Sequence, residues 1–390
     1  MNLIAKEKST SKIMEAIFTK NNKTQQGFEI RKQRSYDMIV FCHLCWDFVH
    51  QRPQYIISRM AKQFKILFIE KPYPLEGQRD SQLIEVSPML HVLKPNVHRT
   101  EDIYTILSQY VNNSTPISIG WFYSPSFISL LNHFDFTTVV YDCMDELSLV
   151  KGASSPFIDQ EQYLLTNADM VFTGSKALYE SKALLHKNVY YFPSSVEEIH
   201  FAKALHAIAV PEEIASFPAC IVGYCGIIDE RIDLPLLDEI AVLEPDVSFV
   251  MIGPITKISE HELPKRPNIH YLGIKNYNEL PNYIKAFDIA MIPFAVNDAT
   301  KYISPSKTLE YMAAGKPIVS TAIKDVVHDY SHCITIIQTA QDFAKAIKED
   351  FADFPDPVTQ REYTSILKNT SWDSTVAAMQ SLIKSKTLDD

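Results

Sequence analysis

From residue 36 the chain alternates short β-branched or aromatic runs with amphipathic stretches, and this pattern constrains its fold more than any single motif. Strands are expected at 37–42, 66–70, 116–121, 138–142, 170–173 and 189–192, with helical patterns at 53–63, 102–111, 125–132, 157–167 and 176–185. Pro53 suits a first helical turn, where its missing N–H is not needed. Residues 196–218 interrupt the alternation with an acidic helical stretch that holds Pro211 and Pro218 but no strand. Strands are expected again at 220–225, 248–252, 269–272, 289–293 and 317–321, with helices at 234–243, 279–286 and 306–314. Strands that alternate with helices of about 10–12 residues call for parallel sheets covered on both faces. The expected class is therefore α/β: two doubly wound domains, 36–195 and 219–345, joined by a connector at 196–218. A polar basic arm (1–35) precedes them, and C-terminal helices (346–390) are expected to pack back toward the first domain.

Doubly wound sheets bind ligands outside the carboxyl ends of their strands, so two such domains facing each other make a cleft with the chemistry just after the strands. Several nucleotide-binding devices are excluded from that position. Ten glycines in 390 residues is about 2.6%, against an average near 7%, and no Gly-x-Gly occurs. The dinucleotide fingerprint is thus missing. Gly315-Lys316 looks like the end of a phosphate-binding P-loop, but Glu310 stands where its first glycine belongs and Pro317 follows.

With 47 acidic and 37 basic side chains the net charge is −10, which argues against a nucleic-acid partner, because neutralising phosphates takes a basic footprint. No apolar run approaches the roughly 18 residues that span a bilayer. Residues 117–131 come nearest and are broken by Ser118, Gly120, Ser124, Pro125, Ser126 and Ser129. The arm at 1–35 has eight Lys/Arg and three Asp/Glu but no apolar core with a cleavage site, so a cytoplasmic protein is expected. The arm's charge suits contact with an anionic membrane surface, and a disordered or partly helical tail is the plainer reading. In a reducing compartment the six cysteines read as thiols. Cys42-His43-Leu44-Cys45 resembles half of a zinc site, but the other half is missing and no metal is expected.

The most informative stretch is Ser304-Pro305-Ser306-Lys307-Thr308-Leu309-Glu310-Tyr311-Met312-Ala313-Ala314-Gly315-Lys316-Pro317. Ser304 and Pro305 signal a helix start, and Gly315 with Pro317 signals its stop. Lys307 and Glu310, three apart, share one face of the first turns. A helix N-terminus there, near Ser306, suits a diphosphate, with Lys307 adding a full charge and Glu310 able to hold a ribose diol. An ordinary surface Lys–Glu pair fits the same spacing.

Glu310-Tyr311-Met312-Ala313-Ala314-Gly315-Lys316-Pro317-Ile318-Val319 resembles the donor-binding segment of GT-B nucleotide-sugar glycosyltransferases of the family-4-like group. The 269–273 run, the 279–286 helix and Asp288-Ile289-Ala290-Met291-Ile292-Pro293 match the same layout upstream. Trp46-Asp47-Phe48-Val49-His50-Gln51-Arg52-Pro53-Gln54 and Tyr141-Asp142-Cys143-Met144-Asp145-Glu146 resemble the teichuronic-acid-type enzymes. The likeness spans roughly 36–385 and implies a GT-B architecture of two Rossmann-like domains, with Glu310 on the ribose of UDP or GDP. The chain departs from the pattern twice. Tyr302 stands where a second Glu contacts the donor sugar, and of the Arg and Lys that follow the first strand of the C-domain only Arg231 is present.

In the first domain, His50 and Arg52 follow the first strand and are placed to contact acceptor or donor sugar; a helix cap and a carboxylate partner are their structural alternatives. Asp142 and Asp145 end an apolar strand, where either can serve as general base on an acceptor hydroxyl or simply cap the next helix. Trp121 in Trp121-Phe122-Tyr123 is placed to stack on a sugar, although core packing is the stronger reading of such a cluster.

The expected activity is sugar transfer from a UDP- or GDP-sugar to a glycan or lipid-linked acceptor in cell-surface polysaccharide synthesis, with no cofactor beyond the nucleotide-sugar substrate. Asp142, Asp145 and His50 are the catalytic candidates. Arg231, Tyr302, Ser304, Ser306, Lys307 and Glu310 are assigned to the donor, and Arg52 and Trp121 to the acceptor side. A retaining, metal-independent course is favoured over an inverting one. Three rivals predict different behaviour: a sugar-nucleotide epimerase would act without acceptor, a binding partner would hold UDP without turnover, and a dehydrogenase would need the missing Gly-x-Gly.

Overall fold

The computed structural model describes residues 34–73, 80–112, 116–147, 155–217, 220–298, 300–349 and 356–389. Residues 1–33 of the basic arm, with the membrane contact expected of them, lie outside these. The chain divides into two units, one running to Pro193 and taking up the chain again from Trp372, the other comprising Ser194–Ser371.

The first unit is built on an eight-stranded sheet: β1 (Met38–Cys42), β2 (Ile66–Glu70), β3 (Gln82–Ser87), β4 (Leu90–Lys94), β5 (Ile117–Phe122), β6 (Phe136–Cys143), β7 (Met170–Thr173) and β8 (Val189–Tyr191). Their order is β3-β4-β2-β1-β5-β6-β7-β8, and only the β3–β4 pair is antiparallel. Every residue of β1 and β2 is buried, as the apolar runs of a sheet covered on both faces must be, Glu70 at the end of β2 included. Strand order reverses at β1, which lies between β2 and β5. The helix Arg52–Met60 follows β1, with Pro53 in its first turn and Gln54 Oε1 accepting the Gln51 N–H at 3.1 Å. The C-terminal helix Trp372–Asp389 packs in the same unit, where buried Trp372 stacks on Tyr55 with ring centroids 4.9 Å apart. Arg59 and Lys62 both pair with Asp373, at 3.2 and 3.1 Å.

The second unit carries a six-stranded parallel sheet: β9 (Ile221–Cys225), β10 (Ser248–Ile252), β11 (Ile269–Gly273), β12 (Ile289–Ile292), β13 (Ile318–Thr321) and β14 (Thr335–Ile337). The order β11-β10-β9-β12-β13-β14 is the doubly wound 3-2-1-4-5-6 arrangement, with its reversal between β9 and β12. The ends of this segment meet in a short parallel bridge, with Val196 N–H donating to Thr370 O at 2.9 Å and Val196 facing Ser371.

The structure differs from the sequence expectations in several elements. The 82–94 hairpin and β14 went unread, and the helix expected at 102–111 is a 3-10 turn (Thr100–Ile103) followed by one α-turn (Tyr104–Leu107). The tail is two helices, Pro357–Leu367 and Trp372–Asp389. The signal at Ser304 and Pro305 sits ahead of the true start, because Ser306 is the N-cap and the helix is Lys307–Ala313.

Candidate active site

In the second unit the loops after β9 and β12 flank the point where strand order reverses, which is where doubly wound sheets bind ligands. They are tied together: Ala295 N–H donates to Arg231 O and Asp233 N–H to Pro293 O, each at 2.8 Å. At the floor, Gly226 and Gly253 follow β9 and β10 and approach too closely for any side chain. A Cβ on Gly253 (φ +147°) would stand 1.8 Å from Gly226 O. A Cβ on Gly226 would meet the Tyr224 hydroxyl at 2.6 Å and Lys307 Cε at 3.1 Å. A glycine-poor chain thus keeps bare backbone directly beneath Lys307.

The helix Lys307–Ala313 is anchored by its apolar face. Leu309, Tyr311 and Met312 are buried, and the Tyr311 hydroxyl accepts the Cys225 N–H at 2.8 Å, at the end of β9. Gly315 (φ +65°) ends the helix, with its N–H on Met312 O and Lys316 N–H on Tyr311 O. This anchoring aims the other face at the reversal point. Lys307 Nζ lies 2.9 and 3.1 Å from the two Glu310 oxygens, and Ser306 Oγ donates to Oε1 at 2.9 Å. Burial works against the ammonium, but Glu310 and the Cys225 thiol outweigh it and its pKa is raised. Lys307 therefore carries its charge at any neutral pH, with about a fifth of its side chain reaching solvent.

Arg231 does not join that pair. Its guanidinium turns back on buried Asp229, with Nε to Oδ1 and Nη2 to Oδ2 both at 2.8 Å, and lies 5.9 Å from the Phe294 ring. Tyr302 is half-buried on a 3-10 turn (Thr300–Tyr302) with Lys301 Nζ 5.6 Å from its ring, and the Ser304 carbonyl accepts from Ser194 Oγ at 2.9 Å. Ser306, Lys307 and Glu310 are thus brought into contact, while Arg231 stands on the neighbouring loop.

In the first unit the reversal point lies beside the loop after β1. His50 is exposed there, edge-on to Tyr55 with centroids 4.4 Å apart. Arg52 Nε donates to both Asp142 oxygens, at 3.0 and 3.3 Å, and Nη1 donates to Phe192 O at 2.8 Å. Nη2 is buried with no hydrogen-bond partner among the described residues. Asp142 is wholly buried; burial raises its pKa and Arg52 opposes the rise. Its carboxylate is the internal counter-ion of Arg52 and is shut off from solvent. Asp145, three residues on, is exposed at a bend. Trp121, assigned to the acceptor side with core packing as the stronger reading of its cluster, is wholly buried and edge-on to Phe172 at 5.5 Å.

Two groups near these loops went unread in the sequence. Lys182, 1% exposed, bridges Glu146 (3.1 Å) and Glu161 (3.0 Å), and Tyr141 OH donates to Glu161 at 2.8 Å. Glu70, buried at the end of β2, accepts the Trp46 N–H at 2.7 Å. Among the described residues no group of three or more His, Cys, Asp or Glu is placed to hold a metal ion, and no helix is long and apolar enough to cross a membrane.

Comparison with known proteins bears on the same region. Residues 220–353, which lie within the second unit, match the family described as glycosyl transferases group 1. A curated relative from Bacillus subtilis (strain 168), named as the teichuronic acid biosynthesis glycosyltransferase TuaH, is 25% identical over 241 residues. That match covers 55% of this chain and 59% of the relative, less than two thirds of the relative's length. Sucrose-phosphate synthase from Thermosynechococcus elongatus superposes with a TM-score of 0.66 at 16% identity, over 92% of this chain and 100% of that one. A trehalose-6-phosphate structure from E. coli bound with UDP-2-fluoro glucose gives 0.66 at 12% identity, over 89% and 99%. At such identities the likeness shows the fold, which is that of GT-B glycosyltransferase structures.

Proposed function

We propose that this protein is a glycosyltransferase that moves a sugar from a nucleoside-diphosphate donor, UDP- or GDP-linked, to a glycan or lipid-linked acceptor at the cytoplasmic face of the cell envelope. The observation that carries the reading is the Lys307–Glu310 pair above the bare backbone of Gly226, at the strand-order reversal of a glycosyl transferases group 1 domain. The name of the Bacillus subtilis relative and the UDP-sugar in the E. coli structure support the donor class and the polysaccharide role.

Lys307 is the cation for the diphosphate. Phosphate oxygens compete for its ammonium, and a charge-assisted contact of this kind is worth about 1.5–3 kcal/mol. Releasing Lys307 frees Glu310, still oriented by Ser306, to accept from a ribose diol. Lys307 supplies a full charge, which outweighs the macrodipole of a helix only seven residues long. Arg231 can turn from Asp229 toward the leaving group, since a third of its side chain is exposed. Positive charge aimed at the departing diphosphate stabilises the transition state more than the ground state, so this reading requires no resident metal.

With Asp142 buried, the retaining course is the one we propose: the leaving phosphate takes the acceptor proton, and Asp145 and His50 orient the acceptor. Arg52, buried with Asp142 as its counter-ion, holds the end of β6 in place rather than meeting the acceptor itself. Calorimetric titration with UDP, GDP and UDP-glucose tests the donor class, and no heat from any nucleotide would sink it. Turnover of a nucleotide sugar without acceptor would instead favour an epimerase.

A further inference from the structure

The loop after β1 ends in His50 and is fixed at three places. Trp46 N–H donates to Glu70 Oε1 at 2.7 Å. Gln54 Nε2 donates to Trp46 O at 3.0 Å and to Cys45 O at 3.4 Å. Lys94 Nζ stands 2.7 Å from Asp47 Oδ2. Glu70 differs from the other two anchors. It closes a fully buried strand, Ile66–Glu70, with 3% exposure, where an apolar residue would continue the run without desolvating a carboxyl group. A buried carboxyl group is stable only where hydrogen bonds compensate it, and here the compensating donor is a backbone N–H of the loop.

The groups that face Glu70 are Cys42 from β1, Cys45 and Asp47 from the loop, and Lys94 from β4. Cys45 lies close enough to it to oppose the effect of burial. Burial raises the Glu70 pKa to about 7, against the opposing pull of Lys94 and the Trp46 N–H. Register adds to the constraint, because Glu70 pairs with Cys42, the last residue of β1, immediately before the loop begins.

We propose that Glu70 is a positioning residue: through the Trp46 N–H it sets the path of residues 43–50 at the strand-order reversal of the first unit, and with it the place of His50. The consequence for transfer rests on the glycosyltransferase reading, in which this loop meets the acceptor; the hydrogen bond and its effect on the loop do not.

The test follows the Trp46 amide by nuclear magnetic resonance in the full-length, ¹⁵N-labelled chain. In the wild type its shift should titrate with a midpoint near that of Glu70, about 7, and in Glu70→Gln, which keeps the acceptor oxygen but cannot ionise, it should not titrate there. Hydrogen exchange at Trp46 should match the wild type in Glu70→Gln and run at least about tenfold faster in Glu70→Ala, while Phe68 and Ile69 on β2 stay protected. A Trp46 shift that ignores pH in the wild type, or full protection in Glu70→Ala, overturns the proposal. If Glu70→Ala does not fold, the comparison of wild type with Glu70→Gln still decides it. Calorimetry with UDP on the same samples separates the two readings. A wild type that binds no UDP counts against the donor assignment and leaves the Trp46 result to stand on its own.

Discussion

Arg52 Nε lies 3.0 Å from Asp142 Oδ1, ninety residues away in the chain, and the carboxylate it holds has no access to solvent. The pair joins the first turn after β1 to the end of β6, while Nη1 reaches Phe192 O beyond β8, so one guanidinium ties together the carboxyl ends of three separated strands. Removing either partner of a buried ion pair typically costs about 3–5 kcal/mol, because the other charge is left uncompensated. Asp142→Ala should therefore lower the melting temperature by on the order of 10 °C. Asp142→Asn should also melt earlier, which distinguishes a counter-ion from a surface base. An Asn variant with unchanged melting temperature and no turnover would return Asp142 to a catalytic role.

Lys307→Ala should weaken UDP or GDP binding by about 10- to 150-fold, the range that corresponds to losing 1.5–3 kcal/mol of charge-assisted contact. It also strips Glu310 of its cation, which a neighbouring serine alone does not replace. Isothermal calorimetry on the folded variant reads this directly. Affinity equal to wild type would remove Lys307 from the nucleotide site.

Glu70 gives the fold a pH dependence of definite sign. Its pKa is raised from 4.5 unfolded to about 7 folded, so the native state binds the extra proton between those values. Its contribution is full below about pH 4.5 and is lost as pH rises through 7, on the order of 3 kcal/mol in all. Urea denaturation of the wild type at pH 5 and pH 8, compared with Glu70→Gln, should show a fall in stability toward pH 8 that the variant lacks. Equal slopes for the two proteins would refute it.

What the sequence displayed, and what it hid, follows burial. β1, β2, β9 and β10 are buried along their whole length and read as mainly apolar runs, with Glu70 and Ser248 at their ends. The β3–β4 hairpin escaped because β3 is an edge strand whose six residues are exposed or half-exposed, Val86 among them. The carboxylates at the end of β6 were located correctly by position. Yet nothing in Asp142-Cys143-Met144-Asp145 says that the first aspartate points inward to Arg52 and the second outward. Glu70 was invisible for a different reason: its partner is a backbone N–H, which leaves no trace in residue type. Lys307 and Glu310 were legible because both halves of that contact lie on one helical face.

Lys182, on the helix Lys176–Ala183, left no trace in the sequence either: it is 1% exposed and bonded to Glu146 and Glu161. Glu146 follows Asp145, so this ammonium holds the end of the loop on which the exposed Asp145 is presented. Burial tends to lower the Lys182 pKa, but Cys143, Glu161 and Glu146 reverse the effect and raise it, so the cation persists through neutral pH. Lys182→Met fills the volume but takes this buried ammonium away from Glu161 and Glu146, which should cost about 3–5 kcal/mol by urea denaturation. Adding Glu146→Gln in that background removes one of the two charges and should recover at least about 1 kcal/mol, a coupling that independent sites do not show. Exchange at the Asp145 and Glu146 amides should quicken in Lys182→Met and slow again in the double variant. Strictly additive losses would mean that Lys182 packs as an aliphatic stem and does not anchor the loop.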